Sequence, residues 1–308
     1  MSVAEAPAGS TVGSAAGSGP VDRPGPAVRV LPTARPGRRV SSRLLRSELG
    51  MVFRRRRNQM ALVVLAGVPV LIGVAVRLAA PGAGEGPAFL SDITENGVFL
   101  AFASLVVVLP LFLPLAISVV AGDAVSGEAQ LGTLRYLLTV PVGRARLLAV
   151  KYAALVAFCL AATVLVAAVG AVLGAILFPT GAATLLSGTQ ISMVAVLGRL
   201  GLVALYVAAC MAAVGAIGLF VSTLTETPVA AMATTATLAV VSQVLDSVPQ
   251  LHAIHSYLFS HYWLQFGDLL RDPVSTEGVV QGLLVSAVYV AIFGSLAWAR
   301  FTSKDVSS

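Results

Sequence analysis

The chain is poor in charge. Only 11% of its 308 residues are Asp, Glu, Lys or Arg, against 57% hydrophobic. A soluble domain needs roughly a quarter of its residues charged to cover its surface. An ordinary water-soluble fold is therefore excluded, and lipid is the solvent that suits this balance. Lysine is nearly absent, at Lys151 and Lys304 alone, so the positive charge is almost all arginine. Cysteine is scarce too: Cys159 and Cys210 both lie inside apolar stretches and read as small packing residues, not a disulfide or a metal pair. No Gly-x-x-x-x-Gly-Lys-Ser/Thr loop is present, so ATP is not bound by that route. His-Glu-x-x-His and Gly-x-Ser-x-Gly are missing as well, which removes the zinc-protease and hydrolase-elbow signatures. The net charge of +6 does not imply nucleic acid, because its positive residues gather beside apolar runs.

Six such runs are present: Asn58–Val76, Gly97–Gly122, Tyr152–Phe178, Leu200–Thr225, Thr227–Leu245 and Gly278–Ala299. Each reaches or approaches the roughly 20 residues that carry a helix across a bilayer core. The fold class expected is an all-α membrane protein of six transmembrane helices. Only Glu226 separates the fourth run from the fifth, and Pro228 suits the first turn of a new helix, so a tight hairpin is expected there. Pro110 and Pro114 predict a kink in the second span. Gly170 and Gly174, and Gly201 with Gly215 and Gly218, predict close helix contacts.

Orientation follows from arginine and lysine. With the N-terminus inside, the cytoplasmic side holds every Arg from 23 to 57, then Arg135, Arg144, Arg146, Lys151, Arg300 and Lys304. The outside holds only Arg77, Arg199 and Arg271, and carries Glu85, Asp92, Glu95, Asp268, Asp272 and Glu277. Both termini then lie in the cytoplasm. Residues 1–40, rich in Ala, Gly, Pro, Ser and Arg, read as a disordered cytoplasmic tail; residues 41–308 form the membrane domain. Ser41–Arg57 reads as an amphipathic interfacial helix capped by Ser41 or Ser42. Its apolar face holds Leu45, Leu49, Val52 and Phe53, with Arg43, Arg46 and Glu48 mostly elsewhere; Arg54, Arg55, Arg56 and Arg57 anchor it at the membrane surface.

The densest pattern lies between the second and third runs, in residues 122–151. It contains Gly127-Glu128, Gly132-Thr133-Leu134, Leu137-Leu138, Pro141, Arg144 and Lys151. Leu131, Leu134 and Leu138 make a short apolar stripe that needs the membrane or a partner to cover it. Pro141 can open the following helix. This pattern resembles the first cytoplasmic loop of ABC-2 type transporter permeases, the membrane subunits of ATP-driven exporters. The ending Ala299-Arg-Phe-Thr-Ser-Lys-Asp-Val306 is similar to the family's ending, and span count and topology extend the resemblance from about residue 41 onward.

The resemblance implies a non-enzymatic permease subunit of the bacterial cytoplasmic membrane, with no cofactor of its own. Its partners would be two copies of a separate ABC ATPase, a second permease half (the same chain or a similar one) and membrane lipid. Export fits this family better than import. The loop would couple the ATPase to the membrane helices, with Glu128, Gly132, Thr133, Leu134, Leu138, Pro141 and Arg144 at the contact. Glu128 would make a charged contact or orient the loop, and Gly132 would allow close backbone approach. Two alternatives are a polytopic membrane enzyme using the outer histidines with Asp268 and Asp272, and an ion-coupled secondary transporter. The second is weakened by spans nearly free of ionisable residues. His252 and His255 can share a helix face as a metal pair would, but Tyr257, Phe259, Tyr262, Trp263 and Phe266 around them favour an interfacial aromatic belt, with no metal.

Overall fold

A computed structural model describes residues 42–79, 93, 96–130, 143–179, 183–184 and 190–303. Among these, nearly everything is helix. The elements are α1 (Ser42–Arg54), α2 (Arg56–Ala79), α3 (Phe99–Val108), α4 (Phe112–Gln130), α5 (Arg144–Leu177), α6 (Met193–Leu224), α7 (Pro228–Asp246), α8 (His252–His255) and α9 (Glu277–Ser303). Two-residue strands, Ala183–Thr184 and Gln190–Ile191, pair antiparallel ahead of α6, and 3₁₀ turns cover Pro249–Leu251 and Trp263–Leu270. Six helices are long and apolar enough to cross a membrane: α2, α4, α5, α6, α7 and α9.

Local chemistry sets the breaks. The chain bends at Arg55, and Asn58 Nδ2 donates to the Val52 carbonyl at 2.8 Å, satisfying one acceptor that the end of α1 leaves open. The second apolar run is not one kinked span. It divides at Leu109–Leu111 into the ten-residue α3 and the membrane-length α4. Pro110 has no N–H to continue the ladder, and Pro114 cannot donate to the Pro110 carbonyl. Gln243 of α7 supplies the missing donor, with Nε2 2.6 Å from that oxygen. α4 then runs past the expected limit of residue 122 to Gln130, and α5 begins at Arg144, ahead of the expected Tyr152. At the α6–α7 hairpin, Pro228 occupies the first turn of α7, as its fixed φ favours.

α6 is the hub, packed against α4, α5, α7 and α9. Its Ser222 Oγ accepts from Val125 N at 3.0 Å and Ser126 N at 2.9 Å of α4, and donates to the Gly122 carbonyl at 2.7 Å. Side-chain bonds between helices suit an interior that water does not reach. α5 meets α3 more closely still. A Cβ on Gly170 would stand 2.6 Å from Ala101 Cα, and one on Gly174 would collide with the Gly97 carbonyl oxygen, so only glycine fits. Gly201 differs from the expectation: nothing lies within 4 Å of its Cβ position, and it permits no contact. On the outer surface α9 bares Val280, Leu284, Val288 and Ile292 at four-residue spacing, one continuous apolar stripe.

Antiparallel packing gives the bundle two ends. One gathers Arg54–Arg57, Asp123, Glu128, Arg144, Lys151 and the end of α9, where Arg144 donates to the Thr302 carbonyl at 3.0 Å. The other gathers Arg199, the end of α7 and the residues from 249 to 271, where Arg199 donates to the carbonyls of Leu269 and Arg271 at 3.0 and 2.7 Å. They are called below the basic end and the histidine end.

Candidate functional site

At the basic end the structure assembles a buried ionic network. Lys151, about two turns into α5, points its ammonium between two carboxylates. Glu128 Oε1 of α4 lies 2.5 Å away and Glu48 Oε2 of α1 lies 3.4 Å away. All three residues are buried. A second cluster adjoins it. Asp123 of α4, also buried, pairs with Arg55 and, at 3.0 Å, with Arg57. Gly127 makes room for it: a Cβ there would stand 2.5 Å from Asp123 Oδ1. Glu48, Arg55, Asp123, Glu128 and Lys151 surround a cavity of about 40 Å³, the scale of one or two water molecules.

Burial pushes the Glu48 carboxyl above its ordinary value of 4.5, since desolvation outweighs the pull of Lys151 and the neighbouring Glu128 charge adds to the rise. Isolated charges at this depth would be costly, and mutual pairing is what makes the cluster tolerable. The geometry links three helices, α1, α4 and α5, through one ammonium.

The residues expected in a coupling loop are placed as follows. Glu128 lies on the last turns of α4, turned inward onto Lys151, and its charge is not offered to an outer surface. Arg144 opens α5 and is bound to the end of α9. Gly132, Thr133, Leu134, Leu138 and Pro141 lie outside the described residues. Of the four anchoring arginines, Arg54 and Arg56 are exposed, whereas Arg55 and Arg57 turn to Asp123. Glu48, expected away from the packed face of α1, is buried there instead. The missed signal was positional: Glu48 shares a helix face with Leu45 and Val52, three and four residues away. No local pattern in the sequence connects it to Lys151.

At the histidine end a different group forms. Asp246, His255 and His261 converge, with candidate ligand atoms all within 4.8 Å of one another. His252 is exposed and is not part of the group, and Asp268 pairs with Arg271 at 3.6 Å instead. The helix-face pairing of His252 with His255 therefore does not occur; α8 is only four residues long and the chain turns after it. Aromatic packing around the group is real: His261 meets Tyr262 edge-on, and Phe259 packs on Trp263 and Tyr289.

These features define an α-helical protein with six helices long and apolar enough to cross a membrane and a charge-paired basic end. The chain belongs to a family described as protein of unknown function (DUF2705), whose model matches residues 83–307. No curated protein matches it.

Proposed function

We propose that the protein is the permease subunit of an ABC-2 type exporter in a bacterial cytoplasmic membrane. In this reading the basic end faces the cytoplasm, α1 lies in the interface and residues 131–142 contact a separate ATPase. Two permease halves and two ATPase copies make the working unit, with the substrate path between the halves. The apolar stripe of α9 faces lipid.

One observation carries the reading: the Glu48–Lys151–Glu128 bridge. It fastens the helix before segment 131–142, the helix after it and α1 to a single ammonium. A displacement of that segment would be passed to α1, α4 and α5 together, because buried ion pairs resist separation. Arg144, bound to the Thr302 carbonyl, extends the linkage to α9. Charge bias supports the orientation, since Arg54–Arg57, Arg144, Arg146, Lys151 and Arg300 belong to one end.

The test is a photo-crosslinking amino acid placed at Leu134 in the native host, with membranes irradiated and adducts identified by mass spectrometry. The expected adduct is an ABC ATPase, absent when the crosslinker sits at Val194 near the histidine end. If Leu134 yields lipid adducts alone while the protein is fully inserted, the coupling assignment is wrong.

A further inference from the structure

We propose that Asp246, His255 and His261 form a binding site for one divalent transition-metal ion of the Zn²⁺ type. The site does not depend on the permease reading.

The argument begins with His255. Its Nε2 lies 3.1 Å from the Val248 carbonyl, an acceptor that can only take a proton. The ring therefore donates from Nε2, and in neutral imidazole this leaves the lone pair on Nδ1. That Nδ1 faces Asp246 Oδ1 at 3.9 Å. His261 Nδ1 faces the same oxygen at 2.6 Å. Two imidazole nitrogens thus converge on one carboxylate oxygen; His261 Nδ1 shares a proton with it, and a cation held among the three would take that proton's place. The carbonyl bond to His255 is the outer contact that orients a ligating histidine and sets its tautomer.

The dimensions suit a small ion. Tetrahedral ligands about 2.0–2.1 Å from zinc stand about 3.3 Å from each other. The two Asp246 edges, 3.9 and 2.6 Å, lie on either side of that value. Ion binding would require side-chain rotations that lengthen the shorter edge and shorten the longer one by about 0.6–0.7 Å each. Two imidazoles and one carboxylate favour zinc and its first-row neighbours over magnesium or calcium, which take oxygen ligands. Three protein ligands also leave a fourth position open. A cavity of about 180 Å³ lined by Asp246, His261, Gln243, Ser247, Ser260 and Trp263 adjoins the group and has room for water or a small anion there. Among the described residues the buried indole N–H of Trp263, which lines the same cavity, meets no hydrogen-bond partner, and it is a donor suited to such an oxygen. Asp246 and His261 keep 25% and 32% of their side-chain surface, so an ion can enter from solvent.

Ion binding would tie the last turn of α7 to the segment carrying His255 and His261. The experiment uses the full chain in detergent, purified without a polyhistidine tag and stripped with chelator. Zn²⁺ is titrated against a chromophoric indicator, and Co²⁺ is added separately to record its absorption spectrum. One tight equivalent is expected, with a Co²⁺ visible band of tetrahedral or five-coordinate strength and no competition from Mg²⁺. His255→Gln, His261→Gln and Asp246→Asn should each weaken Zn²⁺ binding by about tenfold or more. His252→Ala, three residues away on the exposed surface, should leave it unchanged. The Co²⁺ spectrum of the unaltered chain keeps the test decisive even if a variant fails to fold. Absence of the saturable equivalent, or equal weakening by His252→Ala, overturns the site; in that event the carboxylate and the two rings share protons only.

Discussion

At the basic end the Lys151 side chain is 4% exposed and its partners Glu48 and Glu128 are 6% and 10% exposed. At the histidine end Asp246 and His261 keep 25% and 32%. The first cluster has opposite charges in contact and about 40 Å³ of space; the second has one carboxylate, two rings and about 180 Å³. Buried, mutually neutralised charges hold helices in register but leave nothing for a ligand. Partly exposed, convergent nitrogen and oxygen atoms beside open space can exchange partners. In the two proposals made above, one end serves mechanical linkage and the other binding, although both are clusters of the same few residue types.

The sharpest way to break this contrast is Lys151→Met, which strands two buried carboxylates. We expect a loss of about 3–5 kcal/mol, read as a lower thermal midpoint in detergent and reduced membrane yield. The triple variant E48Q/K151M/E128Q should recover most of it, because no charge remains unpaired. If Lys151→Met is as stable as the parent, the network does not lock the helices.

Asp123→Asn should cost less, about 1–2 kcal/mol. The arginines it releases, Arg55 and Arg57, are 38% and 45% exposed and can turn to water. The same thermal melt reports it.

Gly127→Ala separates packing from propensity. Alanine within a helix ordinarily gains nearly 1 kcal/mol over glycine. Here its Cβ would press on Asp123 Oδ1, so a net loss of about 1 kcal/mol is expected. A stabilised Gly127→Ala would mean that Asp123 is free to move aside.

Glu48→Gln should have the smallest effect, and a pH-dependent one. The folded-state carboxyl lies above 4.5, so its ionisation opposes folding. That penalty is absent below the ordinary carboxylate value and grows as pH rises through the raised folded one. The stability of Glu48→Gln relative to the parent should therefore increase with pH across that window. A relative stability that falls with rising pH would show that Lys151 outweighs desolvation.

Much of the scaffold was legible beforehand. Span number followed from uninterrupted apolar length, and the α6–α7 hairpin followed from Pro228, whose ring determines local backbone on its own. The break at Pro110 was underestimated. A single proline kinks a helix, but Pro110 and Pro114 together remove two donors from neighbouring turns, and the side chain that compensates comes from Gln243, far along the chain. Glu128 and Lys151 were visible as members of a pattern, whereas Glu48 was assigned to the wrong face. A charged residue at an apolar register position reads as polar surface until its partner's position is known.

The histidine end shows the same limit. Local spacing singled out His252 with His255, three residues apart, but the chain turns after α8 and brings in His261 and Asp246 instead. Apolar length and proline position are short-range properties carried by the chain itself, and they determined the helices and where they break. The partner of a buried charge, or the third member of a ligand set, is decided by which helices meet at what depth. That depends on contacts such as Gly174 on Gly97 and Ser222 on α4, which exist only once the bundle has packed.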